Sequence, residues 1–131
     1  MTDNPIFEND LVIGVPSIDD YGRQYDRVLV GSYVIVPKSR VPTPFELTDE
    51  EWLSTKKMID TIKRHLDEKY SPDGYNLGWN VGAVGGQTVE HAHLHVIPRF
   101  KDEPFAGRGI RFYLKQEENT RPSGLTPIFD G

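Results

Sequence analysis

The chain has 131 residues, with 15 Lys and Arg against 20 Asp and Glu, a net charge of −5, and no cysteine. That length suits one domain burying about 68% of its unfolded surface; the charge offers no basic field to nucleic acid or an anionic membrane; and the lack of thiols excludes disulfides and cysteine-ligated zinc and fits a reducing compartment. No apolar run approaches the roughly 18 residues that span a bilayer, and Met1-Thr2-Asp3-Asn4-Pro5 is too polar for a signal peptide, so the expectation is a cytoplasmic protein.

Leu11-Val12-Ile13-Gly14-Val15 reads as a short strand, followed by polar, turn-rich sequence from Pro16 to Tyr25. Val28-Leu29-Val30 and Tyr33-Val34-Ile35-Val36 are β-rich runs broken at Gly31-Ser32 and stopped by Pro37, giving two pairing strands or one bent strand. A long helix is predicted from about Asp49 to Tyr70. Thr48 and Glu51 form a capping box, Leu47 and Trp52 occupy staple positions, and Trp52, Ile59, Ile62, Leu66 and Tyr70 recur on one face. The acids Asp49, Glu50 and Glu51 suit the positive end of the helix dipole and need no other function. His65, inside that helix, reads as a boundary residue without a role. Ser71-Pro72-Asp73-Gly74 is a turn, and Tyr75 to Asn80 alternates as the next strand.

Gly82 to Thr88 is a glycine-rich loop carrying an amide and a hydroxyl. Glycines let backbone N–H groups turn inward and come close to an anion, phosphate above all. No Gly-Lys-Ser/Thr follows, so it is not a P-loop. Immediately after it come His91-Ala92-His93-Leu94-His95-Val96-Ile97-Pro98-Arg99, with three of the four histidines at alternate positions. A strand repeats every two residues, which predicts His91, His93 and His95 on one face and Ala92, Leu94 and Val96 in the core. Neighbouring imidazoles disfavour one another's protonation, so the row is expected to be mostly neutral near pH 7. A neutral imidazole has a lone pair for a metal or an electrophile. Zinc binding is the rival reading, with Asp or Glu completing the ligand set. Asn80, Gln87 and Thr88 either hold a bound anion or satisfy the loop's own backbone, and Arg99 is a sheet-edge charge or a dimer contact. After Phe100 the chain is polar; Ile110, Phe112, Tyr113 and Leu114 are its packing candidates, and Gln116 to Gly131 looks loosely held.

The run from His91 to Ile97 fits the pattern His-φ-His-φ-His-φ-φ, with φ apolar. With Gly86 to Val89 before it, Pro98-Arg99 after it and Asn80 at the head of the loop, it resembles the histidine triad family of nucleotide hydrolases and transferases. Gly31, Val34 to Pro37 and Lys38 resemble another family strand, in which Ser32 stands where histidine is frequent. The resemblance spans Leu11 to Arg99 and is tight from Gly78 onward.

The segment pattern itself suggests an α+β fold: an antiparallel sheet of about five strands with one long helix packed on it. The expected organisation is one domain over 1–131, with its core at about 7–100 and a C-terminal extension over 101–131. The resemblance implies the same architecture, a homodimer, and a nucleotide as the small-molecule partner. It implies His93 as nucleophile through a covalent nucleotidyl-histidine, with His91 fixing the orientation and tautomer of His93 and His95 donating to phosphoryl oxygens or the leaving group. Asn80, Gln87 and Thr88 would bind substrate. The implied reaction is hydrolysis of dinucleoside polyphosphates, nucleoside phosphoramidates or related conjugates to a nucleoside monophosphate. The alternatives are a nucleotidylyltransferase, or a nucleotide- or metal-binding protein without turnover. That chemistry requires no cofactor or metal ligand residues, Mg2+ entering only with a polyphosphate substrate. Asp19, Asp20, Gln24 and Asp26 are equal candidates for a ribose contact.

Overall fold

The computed structural model describes residues 4–17 and 30–121. Val28, Leu29 and the four ribose candidates Asp19, Asp20, Gln24 and Asp26 lie outside the described residues, as does everything after Arg121.

The helix, α1, runs Asp49–Tyr70. Its start is fixed by the predicted capping box: the Thr48 hydroxyl accepts from the Glu51 N–H at 3.1 Å, and the Glu51 carboxylate accepts from the Thr48 N–H at 2.8 Å. Its end is fixed by Ser71, which turns left-handed at φ 49°. The buried stripe is Glu51, Thr55, Met58, Ile62 and Leu66. It is rotated from the expected one, because Trp52 is 44% exposed and meets the Trp79 ring edge-on at 5.7 Å. Polar Glu51 and Thr55 are buried because each has a partner. Glu51 also accepts from the Ser39 hydroxyl, and Thr55 donates to the Glu51 carbonyl.

Five strands form one antiparallel sheet: β1 (Phe7–Glu8), β2 (Val12–Pro16), β3 (Tyr33–Pro37), β4 (Gly74–Trp79) and β5 (Leu94–Arg99), in the order β1-β2-β3-β5-β4. The expectation of about five antiparallel strands under one long helix is met. β1 itself is too short to be read from sequence. Of the runs on either side of Gly31, the described part is a single strand from Tyr33, with Val30 and Gly31 in a turn.

The period of two divides the sheet. Val12, Tyr33, Ile35, Leu94 and Val96 face α1 and pack with Met58, Ile62 and Leu66 as the core. Gly14 lets the helix come close, since a Cβ there would lie 2.8 Å from the Ile62 side chain. Residues between these positions, including Val34, His95 and Ile97, belong to the face without the helix. His65 is not idle: half-buried, it packs against the Phe7 and Tyr33 rings and donates to Asn4, whose amide also reaches the Tyr70 hydroxyl. Among the described residues no helix is long and apolar enough to cross a membrane.

Candidate active site

β5 begins at Leu94, so the triad straddles its start: His95 is in the strand while His91 and His93 precede it. Pairing stops there: Ile35 of β3 and Trp79, the last residue of β4, both lie opposite Leu94, and β3 runs on to Pro37 paired with β2. The extended alternation nevertheless continues upstream, with Ala92, Leu94 and Val96 buried and the three histidines partly exposed. The Ala92 N–H finds the Val41 carbonyl at 2.9 Å.

The three rings do not form an equal row. His93 and His95 touch edge to face, with centroids 4.9 Å apart. The His91 ring turns to the end of β3, where Nε2 donates to the Pro37 carbonyl at 2.9 Å. The His93 ring is oriented by the His91 main chain: Nδ1 lies 2.8 Å from the His91 carbonyl. A carbonyl only accepts, so Nδ1 carries the proton and the neutral His93 keeps its lone pair on Nε2. His91 thus acts on the tautomer of His93 through its backbone oxygen, and its ring braces the strand.

His95 sits between Val34 on β3 and Gly78 on β4. Burial pushes its imidazole below the ordinary 6.5, and the neighbouring His93 pushes it further the same way. This keeps His95 neutral at pH 7, as the sequence led one to expect, with burial the larger cause.

The two touching rings open onto a cleft of about 820 Å³, within the range of small-molecule sites. Much of its wall is apolar, from Ile6, Val15, Pro16, Val34 and Ile97, and Asn4, Ser17 and Thr88 add polar side chains to it. Ser32 is another. It is 3% exposed, lines the cleft, and its hydroxyl has no hydrogen-bond partner. A buried hydroxyl is rarely left so. Sequence reading noticed Ser32 only as a departure from a motif; its place on the histidine face follows from register, two residues before Val34, which pairs with His95.

The glycine loop is tighter than an open cradle. The N–H groups of Gly85 and Gly86 bond to the carbonyls of Gly82 and Ala83, and the Gln87 N–H returns to Gly82. Gly85 is required by crowding, since a Cβ there would lie 2.3 Å from the Val81 carbonyl oxygen. The Gln87 side chain holds this loop: its oxygen accepts from the Gly82 N–H, and its nitrogen donates to the carbonyls of Pro42 and Val89. Gln87 is therefore occupied with backbone. Asn80 is exposed, its amide beside Gly86, and lines a smaller cavity with His95. Arg99 is neither a bare edge charge nor free for a partner, being bonded to Asn76, Glu103 and two carbonyls. Among the described residues no three His, Cys, Asp or Glu side chains converge in a way that could hold a metal ion.

A family model for the HIT domain matches residues 28–102. The bis(5'-adenosyl)-triphosphatase of Dictyostelium discoideum is 38% identical over 117 residues, spanning 79% of this chain and 74% of that protein. The adenosine 5'-monophosphoramidase of Schizosaccharomyces pombe is 27% identical over 94 residues, spanning 72% and 68%. Among solved structures, a HIT family protein from Bacillus anthracis aligns with a TM-score of 0.62 at 30% identity, covering 73% of this chain and 63% of that one.

Proposed function

The chain belongs to the HIT domain family, and from that premise we propose that it is a nucleotide hydrolase working through a covalent bond to His93. The observation that carries the proposal is the hydrogen bond from His93 Nδ1 to the His91 carbonyl, which leaves the lone pair on Nε2 of a ring that lines the cleft.

In the first step the Nε2 lone pair attacks the α-phosphorus of a nucleotide conjugate. The bond from phosphorus to the leaving group breaks with its electron pair staying on the leaving group, which takes a proton from solvent water. In the second step a water oxygen attacks phosphorus and gives one proton back to solvent, the phosphorus–Nε2 bond breaks with its electron pair returning to Nε2, and a nucleoside monophosphate departs with His93 restored. Imidazole serves both steps, being a nucleophile at neutral pH and a good leaving group once phosphorylated. A neutral His95 can donate one N–H to a phosphoryl oxygen, and Asn80, which shares a cavity with His95, and Thr88, which lines the cleft, are polar side chains available to join it. The apolar walls around Val15, Val34 and Ile97 suit a nucleoside. The comparisons support substrates that are dinucleoside polyphosphates or phosphoramidates. Mg2+ would arrive with a polyphosphate.

The working unit we infer is a homodimer. β4 is an edge strand whose Leu77 is 41% exposed, and Trp52 and Leu53 at the adjoining end of α1 are 44% and 56% exposed. An unpaired edge flanked by apolar surface supports association with a second copy.

The decisive experiment quenches the enzyme during turnover of adenosine 5'-phosphoramidate and weighs it. The expected product is a nucleotidyl adduct mapping to His93, absent in His93→Ala, which should lose at least about 10³-fold in kcat while keeping its thermal melt. Undiminished turnover by His93→Ala would overturn the covalent mechanism.

A further inference from the structure

From Glu103 onward the chain lies beyond the residues matched by the family model, yet it is fastened to the sheet. The fastening is Arg99. Its Nε donates to Glu103 at 2.8 Å, and its terminal nitrogens donate to the carbonyls of Phe105 and Arg108 at 2.9 and 2.8 Å and to Asn76 on β4. Glu103 is 7% exposed, and its bond to Arg99 holds its carboxyl below the ordinary carboxylate range. A buried ion pair with these further hydrogen bonds fixes residues 103–108 as a wall rather than a loose tail.

On that wall the Arg108 guanidinium stacks over two rings, 4.3 Å from the centroid of Phe105 and 4.6 Å from that of Phe112. Stacking occupies the faces of the guanidinium and leaves its N–H edge for an anion. No carboxylate among the described residues forms an ion pair with Arg108. The exposed rings of Phe105 and Tyr113 stand beside it. These side chains enclose a cavity of about 200 Å³, which shares Asn76 and Ile97 with the neighbouring cavity of about 290 Å³. That second cavity holds Asn80 and shares His95 and Ile97 with the main cleft. The three cavities thus adjoin in turn along one face of the sheet, and this row sets the arginine and its aromatic rings on the same face as the reactive histidines.

We propose that Arg108, with Phe105 and Tyr113, is the subsite for the leaving half of a dinucleoside polyphosphate: the guanidinium takes a phosphate of the departing nucleotide and an exposed ring stacks on its base. The inference rests on the hydrolase reading and sharpens it, because a phosphoramidate's leaving group is too small to reach this subsite. Were Arg108 only cement for the extension, its loss would affect both substrate types alike; the Arg99–Glu103 pair already does the cementing.

The test measures kcat/KM of the full chain with diadenosine triphosphate and with adenosine 5'-phosphoramidate, for wild type, Arg108→Gln, Arg108→Lys and Tyr113→Ala. Arg108→Gln should lose about tenfold or more with the dinucleotide relative to its loss with the phosphoramidate, chiefly through KM, as removal of one charged phosphate contact does. Arg108→Lys should recover part of that ratio, and Tyr113→Ala should lower it without moving the thermal melt. Equal losses on the two substrates, or none on either, would overturn the subsite. A wild type inert toward both would instead sink the hydrolase reading, and the subsite with it.

Discussion

His93 owes its chemistry to one main-chain oxygen. Because the His91 carbonyl accepts from Nδ1, the tautomer is set by backbone extension alone and survives changes to the His91 ring. The triad was legible in the sequence because alternate histidines next to a glycine loop have few structural uses. What could not be read was the split within it, since ring direction depends on where β3 ends and offers the Pro37 carbonyl. Ser32 was equally opaque: a lone serine in a β-rich run says nothing until pairing places it in the cleft beside Ile97. Its hydroxyl is buried without a partner, which costs about 1 kcal/mol or more in the free protein. Ser32→Ala should therefore leave denaturant stability equal or raise it by up to about 1 kcal/mol, and KM for a nucleotide should rise on the reading that a bound substrate gives the hydroxyl its hydrogen-bond partner. A marked loss of stability with KM unmoved would show that the hydroxyl serves the fold.

At the level of elements, the limits of α1 were readable to the residue because capping is local chemistry: Thr48 and Glu51 need only each other. Its buried stripe was only partly readable. Spacing alone counted Trp52 with the core, whereas the sheet meets the helix along Thr55, Met58 and Ile62, and Trp52 turns to Trp79 at the β4 edge. That edge is where association is expected. Leu77→Lys puts charge on an exposed edge position and should shift sedimentation from dimer toward monomer with the circular dichroism spectrum unchanged. A wild-type chain that sediments as a monomer at micromolar concentration would rule the dimer out. The extension was the least legible element, because the partners of Arg99 lie on another strand and up to nine residues ahead along the chain.

Taken whole, the molecule carries its titrating groups so that stability falls away from neutrality on both sides. His65 and His95 have folded values below 6.5, each mainly through burial. The unfolded chain therefore binds protons first, and their contribution, present above about pH 6.5, is lost as pH falls below it. Glu51 and Glu103 are held below 4.5 by the hydroxyl of Ser39 and by Arg99 respectively, so a second decline begins as acid reaches that region. Tyr33 and Tyr75 are pushed above 10.0 by burial, and their contribution is complete below that pH and lost above it. Urea denaturation across pH 4 to 11 should trace a plateau with shoulders on both flanks. A curve with no slope between pH 7.5 and 5.5 would contradict the histidine part.

The helix covers one side of the sheet and the cleft lies on the other. Variation can thus accumulate on the catalytic surface, in the extension above all, while the packed layer that keeps the chain folded goes untouched. A scaffold divided in this way is one in which new substrate preferences can evolve, or be engineered, by rewriting a single side.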